Sequence, residues 1–286
     1  MLKKVITSFV GFALAASALA GCSTNAASSA SPSSAKVAEL SAPTIAHNGE
    51  LAICTALSTG NPPTYFTDAS NKPTGAEIDM ANWVAANLGL TPKYVDVAFA
   101  SIIPALQAGK CDVIMSSLYI KPDRAQIVDF TPYLMSGSAV AVQNGNPKGI
   151  TGMDDSLCGL KVSAAVGKTA TLLAQQQAEK CQQDGKPELQ VVQTDQTTAA
   201  VQQLINKQVD AYAGETPVVL YYQKKQPGTF EMTGKSFGEI EVGAAVKKGN
   251  TALSQKLQSS FTAMNQSGEY QKILQQWGMS DLAYKF

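Results

Sequence analysis

LAICTALSTGNPPTYFTDASNKPTGAEIDMANWVAANLGLTPKYVDVAFASIIPALQAGKCDVIMS, residues 51–116, is the stretch that sets the architecture. Leu51 to Thr55 is an apolar run of strand-like composition. Ile78, Ala81, Val84, Ala85 and Leu88 recur at helical spacing, and Gly89 stops that helix. Lys93 to Val97 predicts the next strand, and Ser101 stands where it would cap a short helix ending at Gly109. Asp112 to Ser116 predicts a buried strand. This β-α-β-α-β order argues an α/β chain with a mostly parallel sheet covered by helices.

The rhythm restarts downstream. Leu160 to Val166 predicts a strand, and a long helix follows near Thr169 to Cys181. Leu189 to Gln193 reads as a strand, Thr198 to Asn206 as a helix and Ala211 to Ala213 as a short strand. Thr216 begins another helix, with Pro217 at a tolerated first-turn position. Leu253, Leu257, Phe261 and Met264 form one face of a C-terminal helix, a stripe that reads as core packing. Ligands of open α/β sheets bind beyond the carboxyl ends of the strands, which singles out the residues after Thr55, Ser116, Val166 and Ala213.

Upstream, Lys3 and Lys4 precede an apolar stretch from Val5 to about Ala18, too short for a comfortable membrane span. Leu19-Ala20-Gly21-Cys22 follows and resembles a bacterial lipobox, which implies that residues 1–21 are a signal peptide and that Cys22 is lipidated. Residues 22–43, rich in Ser, Ala and Thr, read as a flexible tether. The chain has 22 basic and 22 acidic residues among 286, so nothing in its charge advertises nucleic acid. The one histidine, His47, reads as a surface residue, and no metal site or cofactor is expected. Apart from Cys22, four cysteines remain (Cys54, Cys111, Cys158 and Cys181), an even set that favours disulfides in an exported protein and allows three pairings.

Seven segments in order resemble the polar amino-acid-binding proteins of ABC importers, solute-binding family 3. They are PPTYF at 62–66, GAEIDMANWVAANLGL at 75–90, SIIPALQAGKCDVIMSS at 101–117, IKPDRAQIVDFTPY at 120–133, LCGLKVSAAVGKT at 157–169, KQVDAYAGETPVVLYY at 207–222 and GEYQKILQQWG at 268–278. The resemblance implies a type II periplasmic-binding fold: two α/β lobes, residues 46–140 plus 244–286 and residues 143–240, joined by two crossover strands. The crossovers fall near Ala139–Gln143 and Glu241–Ala245, both short, apolar and extended in pattern. Pairing Cys54 with Cys111 and Cys158 with Cys181 keeps each bridge inside one lobe and is the expected connectivity.

The resemblance also implies a binding site. Arg124 matches the arginine that forks onto a ligand α-carboxylate, a role suited to a planar guanidinium. Ser117 matches a contact to the ligand's polar head, and Thr169 a carboxylate donor near a helix start, where anions are favoured. Phe99 matches an aromatic wall, with Tyr65 or Phe66 as the opposing one; either could equally be core. Glu215 stands where the family usually has the aspartate that receives the ligand's ammonium. Three further departures suggest a reshaped cleft: Tyr119 replaces a small hydroxyl residue, Lys168 interrupts a usual Gly-Thr pair, and Thr64 replaces a phenylalanine.

The function implied is capture of an amino acid or amino-acid-like zwitterion by hinge closure, outside the cytoplasm. The chain would be anchored to the membrane by lipid, deliver to an ABC permease and act as a monomer. Two other readings compete. One is a same-fold enzyme resembling cyclohexadienyl dehydratase, with Glu215 as general acid; the other is a sensory or adhesive lipoprotein that reuses the fold.

Overall fold

Asp112, buried beneath the first predicted strand, ties the beginning of the body together: its carboxylate accepts from the amides of Ala46 (2.7 Å) and Ala52 (2.9 Å). The computed structural model describes residues 40–286; the predicted signal peptide, Cys22 and the tether as far as residue 39 lie outside them. Leu40 and Ile45 are already buried in the core. His47 is exposed, and no cluster of three or more potential metal-ligating side chains occurs among the described residues.

Chain order runs β1 (Glu50–Thr55), the short pair β2 (Phe66–Thr67) and β3 (Pro73–Thr74), α1 (Ala76–Asn87), β4 (Thr91–Asp96), α2 (Ile102–Gln107) and β5 (Val113–Ile114). Then come α3 (Pro122–Ala125), the long β6 (Val128–Gln143), β7 (Lys161–Ala165), α4 (Thr169–Gln183), β8 (Gln190–Thr194), α5 (Thr197–Ile205) and β9 (Ala211–Glu215). The chain closes with α6 (Thr216–Lys225), the long β10 (Phe230–Lys247), α7 (Thr251–Gln266) and α8 (Glu269–Trp277). Gly75 opens α1 at φ 123°, where a Cβ would lie 2.4 Å from the Thr64 carbonyl oxygen, so no other residue fits there. Ser101 does occupy the N-cap position of α2, but its side chain makes no capping bond; a 3-10 turn at Phe99–Ser101 leads in instead.

Eight strands form one sheet in the order β4-β1-β5-β10-β6-β9-β7-β8. The outer pairs β4-β1-β5 and β9-β7-β8 are parallel, as the repeated β-α rhythm predicts, whereas β10 and β6 run antiparallel through the middle. Helices cover both faces. Along β1, Leu51 and Ile53 enter a cluster with α1, α7 and α8, while Ala52 and Cys54 face a cluster with α2. Two further clusters, around α4 and around α5 and α6, draw their buried members from residues 139–230. Strand β6 serves both regions, giving Tyr133 and Leu134 to the first and Ala139 to Val142 to the others.

The crossover segments Ala139–Gln143 and Glu241–Ala245 are extended, as expected, and each is part of a longer strand: β6 and β10 are 16 and 18 residues long and pair with each other. Pro132 and the glycines at 137, 234, 238 and 243 lie within these two strands. The ladder absorbs them through irregularities between Thr233 and Phe237, Phe237 and Ile240, and Val242 and Gly243, the last directly opposite Pro132. Both expected disulfides are present, Cys54–Cys111 and Cys158–Cys181.

Candidate functional site

Four strand ends supply the site. Strand β9 ends on Glu215, the N-cap residue of α6; β7 leads through Val166 and Gly167 to Lys168, the N-cap residue of α4. Ser116 and Ser117 follow β5, and the loop after β1 carries Asn61, Thr64 and Tyr65. Gly167 takes the left-handed conformation (φ 77°), and a Cβ there would come within 3.2 Å of Ala100, so this turn lies directly on the 3-10 turn that carries Phe99.

Lys168 is the centre of the arrangement. The residue is 4% exposed, and its ammonium donates to Glu215 Oε1 (3.1 Å), the Tyr65 hydroxyl (2.8 Å) and Asn61 Oδ1 (3.4 Å). It also lies 3.9 Å from the centroid of the Phe99 ring, a cation–π contact. Burial alone pulls the ammonium's pKa down, but Glu215 and Tyr65 outweigh it and leave the lysine above its ordinary value. Burial pushes the Tyr65 hydroxyl up to about 12, so it stays protonated. The other Glu215 oxygen accepts from Asn61 Nδ2 (2.7 Å), which leaves both carboxylate oxygens engaged.

A second buried carboxyl stands behind this layer. Glu77 of α1 accepts from the Ser117 amide (2.8 Å), the Ser117 hydroxyl (2.9 Å) and the Tyr133 hydroxyl. Burial is the dominant cause and raises its pKa in spite of those donors. Ser117 Oγ also lies 3.1 Å from Thr64 Oγ1, which links the two layers. Ser117 itself adopts φ 48°, uncommon for a residue with a side chain.

Arg124, on the one-turn helix α3, is held differently. Its Nη1 donates to the Tyr119 carbonyl (3.0 Å), and its guanidinium carbon lies 5.9 Å from the Phe99 centroid. No carboxylate of the described residues comes within 4 Å of it. Two cations, Lys168 and Arg124, therefore share one aromatic ring.

Of the residues singled out in the sequence, Arg124, Glu215, Phe99 and Tyr65 come together around Lys168. Phe66 does not: its ring packs against Tyr221 and Trp277. Thr169 is the first residue of α4 and half-buried. The Tyr119 side chain packs in the core. It is 2% exposed, with its hydroxyl bonded to the Gly137 carbonyl (3.0 Å) and beside Ser136 Oγ (3.1 Å). The Tyr119 carbonyl accepts the bond from Arg124. Asn61 and Glu77 carried no signal in the sequence beyond their polarity; Lys168 did, as the residue that interrupts a Gly-Thr pair.

Comparison with known proteins bears on this arrangement. A family model for bacterial extracellular solute-binding proteins, family 3, matches residues 53–280. The ABC transporter arginine-binding protein 1 of Escherichia coli is 30% identical over 226 residues, 77% of this chain and 88% of that one. The glutamine-binding protein GlnH of Bacillus subtilis is 29% identical over 75% of this chain and 76% of its own length. Among solved structures, an ancestral arginine-binding protein bound to arginine is similar at TM-score 0.71 and 33% identity, covering 80% of this chain and 98% of that chain. An ancestral amino acid-binding protein, a precursor of cyclohexadienyl dehydratase, is similar at TM-score 0.69 and 28% identity over 80% and 95% of the two chains.

Proposed function

The chain belongs to the bacterial extracellular solute-binding proteins, family 3, and from that premise we propose that it captures a small amino-acid-like solute outside the cytoplasm for an ABC importer. The observation that carries this reading is Arg124: a half-buried guanidinium beside an aromatic face, with no carboxylate partner among the described residues, in a family whose similar members are named for amino acids. A ligand carboxylate is the natural partner for that fork.

Capture by hinge closure is part of the proposal. The two lobes are residues 46–140 plus 244–286 and residues 143–240, consistent with apolar clusters that draw on separate stretches of chain. The bonds from Lys168 to Tyr65, from Asn61 to Glu215 and from the Thr197 amide to the Thr59 carbonyl (2.9 Å) then run from lobe to lobe. They describe a closed form. A ligand that touches both lobes favours that form over an open one. A charge-assisted hydrogen bond contributes about 1.5 to 3 kcal/mol, so a micromolar ligand, at about 8 kcal/mol, needs several such bonds plus buried apolar area. The lipid anchor at Cys22, the tether and a monomeric state complete the reading; the anchor would keep the lobes beside the permease.

A dehydratase role for Glu215 is less well supported. A general acid must carry a proton, whereas both Glu215 oxygens accept hydrogen bonds, one of them from an ammonium. Arg124→Ala tests the main proposal. Calorimetry against amino acids and their derivatives should show binding lost while circular dichroism stays native; affinity within a factor of about three of the parent protein's would remove Arg124 from the site.

A further inference from the structure

From the surroundings of Lys168 we infer that this site takes a small amino-acid-like carboxylate without a free α-ammonium, such as a deaminated, hydroxylated or N-acylated analogue. The inference rests on the solute-binding reading above and narrows the class of solute.

An ammonium has three N–H donors. Those of Lys168 face a carboxylate, a phenol and an amide oxygen, with an aromatic face alongside at 3.9 Å. This is the coordination expected for the ammonium of a bound amino acid, already complete and supplied by the chain. Glu215, the acid anticipated for the ligand's ammonium, has one oxygen on Lys168 and the other on Asn61. A zwitterion would have to evict an ammonium from a place where it is fully bonded and shielded from water.

Charge points the same way. Arg124 and Lys168 flank Phe99, and Glu215 answers only one of them. Glu77 lies behind Ser117 and Thr64, bonded to Ser117 and Tyr133. Asp123, next to Arg124 in sequence, is exposed and makes no ion pair with it. One positive charge on Arg124 is left for the ligand, and a carboxylate with no ammonium of its own neutralises it.

The test is calorimetry of the purified protein with matched pairs: L-alanine and L-lactate, L-phenylalanine and phenylpyruvate, L-glutamate and glutarate, L-leucine and N-acetyl-L-leucine, with L-arginine and L-glutamine added. In every pair that binds, the member without the ammonium should bind at least about tenfold more tightly, and Lys168→Gln should reverse that order by vacating Glu215. Should Lys168→Gln not fold, the matched pairs in the parent protein decide alone: tighter binding of the ammonium-free member supports Lys168 as the resident ammonium, and tighter binding of the α-amino acid assigns Glu215 to the ligand. Tighter binding of the α-amino acid than its partner, or of L-arginine or L-glutamine than every ammonium-free probe, overturns the inference and leaves the solute-binding reading intact. Silence from every probe up to about 10 mM overturns the solute-binding reading itself, and this inference with it.

Discussion

At the scale of single residues, the molecule is governed by two buried carboxyls with opposite fates. Glu215 is matched by Lys168 at 3.1 Å, and both side chains are almost wholly buried. Removing one partner strands the other charge, so Lys168→Met should cost about 3 to 5 kcal/mol in chemical denaturation at neutral pH. Because the folded protein holds the Lys168 proton more tightly than the unfolded chain does, this contribution is complete below the unfolded lysine value, about 10.4. It should fade as the pH climbs beyond that, and the gap between parent and variant should narrow. Glu77 behaves oppositely for a carboxylate: burial raises its folded pKa, so its contribution is complete below about 4.3 and is lost as the pH rises through the folded value. Thermal melts from acid to neutral pH should therefore show Glu77→Gln gaining on the parent protein with rising pH. A gap that stays flat across that range would rule out a raised Glu77.

At the scale of elements, the loop between β7 and α4 and the paired long strands matter most. Gly167 is left-handed and lies against Ala100, so Gly167→Ala combines a backbone penalty of about 1 to 2 kcal/mol with a wedge between the Lys168 and Phe99 turns. Ligand affinity should fall by about tenfold or more in calorimetry, and an unchanged affinity would mean that these turns separate when ligand binds. The helices were legible because their apolar positions repeat: the Leu253, Leu257, Phe261 and Met264 stripe is buried as expected, with Phe261 stacked on Tyr133 at 4.9 Å. The central strands were not. Their glycines and Pro132 signal turns locally, and only pairing with a strand far along the chain, from Gln143 with Phe230 to Val128 with Lys247, supplies the hydrogen bonds that make them strands.

At the scale of the whole molecule, the two disulfides close loops with sequence separations of 57 and 23 residues. In the chain-entropy view they contribute about 4 and about 3.5 kcal/mol, so Cys54→Ala/Cys111→Ala should lose slightly more stability than Cys158→Ala/Cys181→Ala in guanidinium unfolding, each variant keeping the other bridge. The α/β class, most of the helices, the cysteine partition and the family all followed from the amino-acid sequence, because hydrophobic period, cysteine number and motif order are properties of neighbours along the chain. The antiparallel centre of the sheet, the burial of Tyr119 and the occupation of Glu215 by Lys168 were decided only in three dimensions. Lys168 and Glu215 are 47 residues apart, and Asn61 is 154 from Glu215. Whether an ammonium meets a carboxylate, a phenol and a ring face at such separations depends on how the strand ends are brought together, which no local pattern encodes.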